Sequence, residues 1–271
     1  MLVKLKLKNK IMNLAVIIVT AFFIACDFTP RLYQDILLAQ EFVVEQKYDK
    51  AAAKYESILA ENPPNDVRVK IYYQLGELYS IHLQVIEKAV YYYGRIKEIY
   101  PDPLWIVRTE ERIADTYFSF GGKYFKKSAE SYEMLVRFTP RLKNYDLYQF
   151  RLAQSYFNTG DLGKAEDLFT TIAQNPDQTY FAKGFYYLGL ISFQQKNWSR
   201  AIAYWNEYIQ REKRRDEIVK TKFLMANAYE TMERLKEAYN IYYSIVGEYP
   251  NNEVIKARLN SIYERKVARK R

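Results

Sequence analysis

From residue 32 to residue 250 the apolar positions recur at three- and four-residue intervals, in short blocks that come in pairs. The first members are "LLAQEFVVE" (37–45), "YYQLGELYS" (72–80), "ERIADTYFS" (111–119), "FRLAQSYFN" (150–158), "YYLGLISFQ" (186–194) and "KFLMANAYE" (222–230). Their partners are "KAAAKYESI", "KAVYYYGRI", "KSAESYEML", "KAEDLFTTI", "RAIAYWNEY" and "EAYNIYYSI". That period predicts amphipathic helices in pairs. Every first block carries a small residue at its centre: Ala39, Gly76, Ala114, Ala153, Gly189 and Ala226, spaced 37, 38, 39, 36 and 37 residues apart. Every second block carries another (Ala51, Ala89, Ser128, Ala165, Ala201, Ala238), then a large ring four residues on: Tyr55, Tyr93, Tyr132, Phe169, Trp205 and Tyr242. Small residues let two helices approach closely, and rings a turn away fill the space that remains. One such pair cannot bury both of its faces, so the pairs must stack. Pro63, Pro101, Pro140, Pro176 and Pro250 stand where second helices should stop.

This register resembles the tetratricopeptide repeat, a family of antiparallel helix pairs. The resemblance implies an all-α fold: a right-handed superhelical solenoid of about six helix-turn-helix repeats over 32–250. The aromatic three residues after the small one (Phe42, Tyr79, Tyr117, Tyr156, Tyr229) also fits; the fifth repeat departs, with Ser192 there and Phe193 beside it. Residues 251–271 read as a capping helix and basic tail, with Ile255, Leu259 and Ile262 on one face and Asn251 or Asn252 as N-cap. The fifth repeat ends in "QREKRRDE" with no proline, the expected place for a bend or a longer connecting helix.

Charge sharpens this picture at the ends. The net charge is +9, but Lys4, Lys6, Lys8 and Lys10 lie in residues 1–25 and five basic residues lie in the final "RKVARKR". The body between is neutral, which argues against a nucleic-acid surface. The final run is either a disordered solubilising end or an electrostatic contact for anionic lipid or an acidic partner.

Residues 1–25 divide into a basic start, "MLVKLKLKNK", and a 15-residue apolar run, "IMNLAVIIVTAFFIA". The run is short for a bilayer span and reads as a secretory signal peptide that is cleaved. Its end, Phe23-Ile24-Ala25-Cys26, resembles a bacterial lipobox; Ala25 and Cys26 match the family form and Phe23 and Ile24 are bulkier. The resemblance implies lipidation of Cys26, palmitate-type acyl chains included, as the first residue of the mature protein. Residues 26–31 are then a lipidated tether, at most roughly 20 Å long. An uncleaved signal anchor is the alternative. Cys26 is the only cysteine, so the body has neither a disulfide nor a thiolate metal site.

Catalytic chemistry finds no foothold. His82, the one histidine, falls in a turn; "SFGGKYFKKS" (119–128) lacks phosphate-loop spacing; Glu110, Glu111 and Glu207 occupy positions that helices usually solvate. No catalytic residue, metal ligand, cofactor or small-molecule substrate is expected.

The tetratricopeptide resemblance implies a concave face lined by first helices. On it fall Tyr73, Phe118, Phe150, Phe157, Tyr186, Phe193 and Phe223, with Lys70, Arg108, Lys183 and Lys220 along one edge. Such a groove would hold a partner segment with apolar anchors and some negative charge. Packing between adjacent first helices is the other role open to the same rings.

A lipid-anchored array of this kind resembles the lipoprotein component of the outer-membrane β-barrel assembly machinery. That resemblance implies a periplasm-facing scaffold in the bacterial cell envelope, held at the membrane by its anchor, with an outer-membrane assembly factor as partner. A pilotin-like lipoprotein for secretin assembly, a Tol-Pal-type coordinator of envelope constriction and a transporter-associated binding partner are the alternatives. Asp27 bears on the membrane reached, because an acid after the lipidated cysteine resembles an inner-membrane retention signal, against the outer-membrane expectation.

Overall fold

The computed structural model describes residues 31–268; the expected signal peptide, Cys26 and nearly all of the tether lie outside them. Thirteen α-helices run through the described residues. They are α1 (Arg31–Val44), α2 (Tyr48–Ala60), α3 (Asn65–Glu77), α4 (Ile86–Ile99), α5 (Pro103–Phe120), α6 (Phe125–Arg137) and α7 (Tyr145–Thr159). Then come α8 (Leu162–Ala173), α9 (Phe181–Gln194), α10 (Trp198–Arg211), α11 (Arg215–Thr231), α12 (Leu235–Tyr243) and α13 (Asn252–Ala268). There is no strand among the described residues. Helices pair in chain order, α1 with α2 through α11 with α12, giving six tetratricopeptide-type repeats and a cap. Two compact units divide between Trp105 and Ile106, within the first turn of α5. Unit one holds α1 to α4; unit two holds the rest of α5 and α6 to α13.

The small-against-large register explains the core. Ala39, Ala114, Ala153 and Ala226 have no exposure, and the six rings Tyr55, Tyr93, Tyr132, Phe169, Trp205 and Tyr242 are at most 2% exposed. A methyl group added at Gly76 would sit 2.6 Å from Cζ of Tyr93, and one at Gly189 would sit 2.8 Å from Cε2 of Trp205. Those two glycines therefore exist to admit their rings.

The turns inside each repeat share one backbone device. A residue in the left-handed region follows the first-helix small residue by seven positions: Gln46, Gly121, Gly160, Lys196 and Glu233. The next amide closes the turn in four of them, as Lys47 N donates to the Phe42 carbonyl (2.8 Å) and Asn197 N to that of Ser192 (2.8 Å). In the second repeat this residue is Gln84, one position late. The extra residue is taken up by a π-turn, Leu78–His82, and Val85 N reaches back to Tyr79 instead (2.8 Å). In the third, a 3₁₀ turn, Gly122–Tyr124, absorbs the surplus. These insertions account for the long repeats there.

The cap forms as expected and in more detail. Asn251 is the N-cap, its Oδ1 accepting from Val254 N at 3.2 Å, while Asn252 Oδ1 accepts from Gly247 N at 3.0 Å. Ile255 and Ile262 are fully buried against Val219, Ala226, Ala238, Tyr242 and Ile245. Two expectations change. The stretch after α10 is not a longer connecting helix but a three-residue link between Arg211 and Arg215. The start of the basic tail is the last turn of α13, where Arg265 pairs with Glu230 (3.0 Å) and Glu233 (2.6 Å).

Candidate protein-binding face

The rings expected to line the first-helix face divide into two groups. Tyr73 and Phe150 are 9% and 7% exposed, so they are core residues and not anchors for a partner. The reason is local: Trp105 packs edge-on to Tyr73 (5.9 Å between centroids), and Tyr180 lies flat on Phe150 (4.3 Å, 4°). Both covering rings come from the helix start or the link that follows, which the repeat register does not describe. Phe118, Phe157, Tyr186, Phe193 and Phe223 are half-buried. Each leans on its own or the next repeat: Phe118 on Tyr132 (6.2 Å), Phe157 on Tyr187 (5.5 Å), Tyr186 on Tyr208 (5.1 Å), Phe193 on Trp198 (4.7 Å) and Phe223 on Tyr249 (4.5 Å). The guanidinium of Arg151 stacks over Phe118 at 4.2 Å, placing a cation on an apolar surface.

The basic edge is largely compensated. Lys183 donates to Tyr208 and to Glu217, both at 2.9 Å, and Lys220 reaches the same Glu217 at 3.1 Å and Asp216 at 3.4 Å. Arg108 is exposed. Lys70 is exposed and makes no ion pair among the described residues, which leaves it the uncompensated charge of the four.

A second pattern on this face is absent from the expected site. Where the buried ring of the second helix is a tyrosine, its hydroxyl emerges beside the residue that follows the small one. Tyr93 donates to Glu77 (2.5 Å), Tyr132 to Asp115, and Tyr242 to Asn227 and Glu230. Where the ring is Phe169 or Trp205 and has no hydroxyl, that position is Gln154 or Leu190. Burial, reinforced by Asp115, pushes the Tyr132 phenol well above its ordinary range. Burial and Glu111 raise Tyr148 to about 12. These phenols stay protonated donors throughout the working pH range. Glu110, expected to be solvated, is 3% exposed.

Beside the cap, a polar cleft of about 450 Å³ is lined by Phe193, Asn227, Glu230, Glu233, Arg258 and Arg265. Its two arginines face two glutamates, so its charge is balanced. On the other flank, Glu212 sits 11% exposed in the α10–α11 link. Burial would raise its pKa, but hydrogen bonds from Arg214 and Tyr208 outweigh that and hold it down at about 2. Glu217 is lowered too, chiefly by its hydrogen bond from Lys183. A depressed carboxylate stabilises the fold fully above its ordinary pKa near 4.5, and that contribution is lost as pH falls toward 2. Acid unfolding followed by circular dichroism should therefore steepen below pH 4.5. Glu212→Gln should flatten the fall between pH 4.5 and 2 and leave the slope above it unchanged.

No group of three or more histidine, cysteine, aspartate or glutamate side chains among the described residues could hold a metal ion. None of the described helices is long and apolar enough to cross a membrane.

With this geometry in view, comparison with known proteins agrees on fold. The family model "Tetratricopeptide repeat" matches residues 150–217. No curated protein matches the chain. Among solved structures, the C-terminal part of a TPR repeat-containing protein from Cytophaga hutchinsonii is similar with a TM-score of 0.66 at 16% identity, over 92% of this chain and 96% of that one. PilW, described as a widely conserved type IV pilus biogenesis factor, gives 0.52 at 16% identity, over 87% of this chain and 99% of PilW. A chain of the Naa15/Naa10 assembly bound to HypK-THB gives 0.57 at 17% identity, over 83% of this chain and 33% of that one. At these identities the likeness is one of fold: a tetratricopeptide-type solenoid, a scaffold suited to protein–protein interaction.

Proposed function

We propose that this scaffold is lipid-anchored through Cys26 in the bacterial envelope and holds a protein partner close to the membrane on its first-helix face, in the assembly of outer-membrane proteins. The observation that carries the binding part is the set of half-buried rings, Phe118, Phe157 and Phe193, that lean on Tyr132, Tyr187 and Trp198 and keep part of their surface in solvent. Aromatic rings fixed in place lose little entropy on binding and make good anchors. The anchoring part rests on the Ala25-Cys26 ending and on the five-residue step from Cys26 to Arg31, where α1 begins. Several acyl chains give stable attachment where one gives marginal binding. Asp27 keeps the inner membrane as a destination for the same scaffold.

The anchor is tested by metabolic labelling with a fatty-acid analogue. Wild type should be labelled and sediment with membranes; Cys26→Ala should lose the label and persist as the longer, unprocessed chain. Equal labelling of the two would remove the anchor from the proposal.

A second reading is assembly of a pilus or secretin, as a pilotin-like lipoprotein. It is favoured by one observation, the near-complete mutual coverage with PilW. Crosslinking in native membranes separates the two: a barrel-assembly protein recovered with the scaffold supports the first, and a secretin or pilus component the second.

A further inference from the structure

Unit one carries a pocket of about 320 Å³ on its first-helix face, between α1, α3 and the buried ring of α2. Ile36 and Ile71 form its apolar floor, and Tyr55, Gln40, Gln74 and Lys70 supply its polar groups. Its lining contains no carboxylate. This is the first repeat's version of the tyrosine pattern described above, with one part changed. Tyr55 corresponds to Tyr93, Tyr132 and Tyr242, whose hydroxyls are each occupied by a side-chain acceptor. The corresponding acceptor position in the first repeat is Gln40, and the Tyr55 hydroxyl makes no hydrogen bond among the described residues. Lys70 at the rim likewise has no ion pair among them, whereas Lys183 and Lys220 share Glu217. The pocket thus joins an apolar floor to a set of groups able to donate (a phenol, two amides and an ammonium) with no anion to answer them.

We infer that this pocket binds a protein segment in which an apolar side chain enters the floor and an adjacent carboxylate pairs with Lys70 and accepts from the donors around it. The volume suits one large side chain, and the uncompensated positive rim selects an acidic neighbour over a basic one. The inference rests on the reading of the first-helix face as a protein-binding face and adds a second, chemically distinct contact in the other unit.

The probe is a set of pentapeptides with blocked ends and an uncharged BODIPY label, so that the side chains carry the only ionisable groups: Gly-Asp-Phe-Asp-Gly, its Phe→Ala variant, and its Asp→Lys variant. Fluorescence anisotropy on the full chain should give the Phe/Asp peptide at least a tenfold lower Kd than either control. Lys70→Glu, at an exposed position, should weaken it tenfold or more and improve the Phe/Lys peptide. Gln74→Trp, also exposed, should block the pocket and weaken every peptide. Unaltered circular dichroism confirms that both variants fold. Binding of the Phe/Asp peptide no tighter than its Ala control, or indifferent to both variants, overturns the inference. The Phe157→Ala/Phe193→Ala variant keeps the two readings apart. It should leave peptide binding intact, and loss of peptide binding there would also overturn the pocket assignment.

Discussion

Trp205→Ala should lower the stability of unit two by about 3–5 kcal/mol, the range for removing a fully buried large aromatic. Trp205 is 0% exposed, its ring fills the space over Gly189, and its indole N–H donates to the Tyr186 carbonyl at 3.2 Å. Alanine leaves a cavity that cannot collapse, because the opposing residue is already a glycine, and leaves that carbonyl without its indole donor. The same contact approached from the other side gives a smaller effect of the same sign. Gly189→Ala pushes a methyl into the ring, and overpacking of roughly 1–3 kcal/mol exceeds the helix-propensity gain of about 1 kcal/mol. Because stacked repeats couple to their neighbours, unfolding should begin in α9 to α12, with α1 to α4 protected longer in hydrogen exchange. Urea titration measures the first effect. A loss under 1 kcal/mol for Trp205→Ala would mean that the small-against-large register is not what holds the repeat together.

Phe157→Ala combined with Phe193→Ala should reduce partner binding by 100-fold or more, at a smaller loss of stability. Both rings are half-buried, so truncation gives up part of a core contact (Phe157 with Tyr187, Phe193 with Trp198 and Trp205) and all of the exposed apolar face. Interface anchors of this type contribute 2 kcal/mol or more each when a partner desolvates them. The matched control is Tyr73→Phe with Phe150→Leu. Those residues share the face in sequence but are covered in the fold, so partner binding should be unchanged there. Quantitative recovery of the partner after crosslinking, normalised to the helical signal, separates the two effects. Equal recovery from wild type and the Phe157/Phe193 variant would remove the rings from the interface.

The repeat register was legible because each small residue faces one large ring, and both recur at fixed positions. Reading Ala39 to Ala226 against Tyr55 to Tyr242 located six buried contacts without exception. The face was less legible. Position along a helix places a ring on a face but not under its cover, so Tyr73 and Phe150 looked like Phe118 and Phe157 until Trp105 and Tyr180 closed over them. Charge failed for a related reason: the acid that neutralises Lys183 is Glu217, a full repeat away. The tyrosine–acceptor pairs could have been found. Glu77, Asp115 and Asn227 directly follow a small residue in three of the four repeats whose buried ring carries a hydroxyl, Gln40 standing there in the fourth, and Leu190 does so where the ring is Trp205. The extra residues of the second and third repeats were visible as spacing, but a π-turn and a 3₁₀ turn are indistinguishable as insertions in a sequence.

The central claim, that the first-helix face is where a partner sits, is tested most directly by photocrosslinking in native membranes. A photoreactive phenylalanine at Gln154 and at Leu190, beside Phe157 and Phe193, is compared with the same group at Met134 and Tyr243, which are 50% and 67% exposed on second helices. Crosslinks to one discrete protein from Gln154 and Leu190, with none from Met134 and Tyr243, are the result expected. The reverse pattern would contradict it and move the interface to the second-helix face.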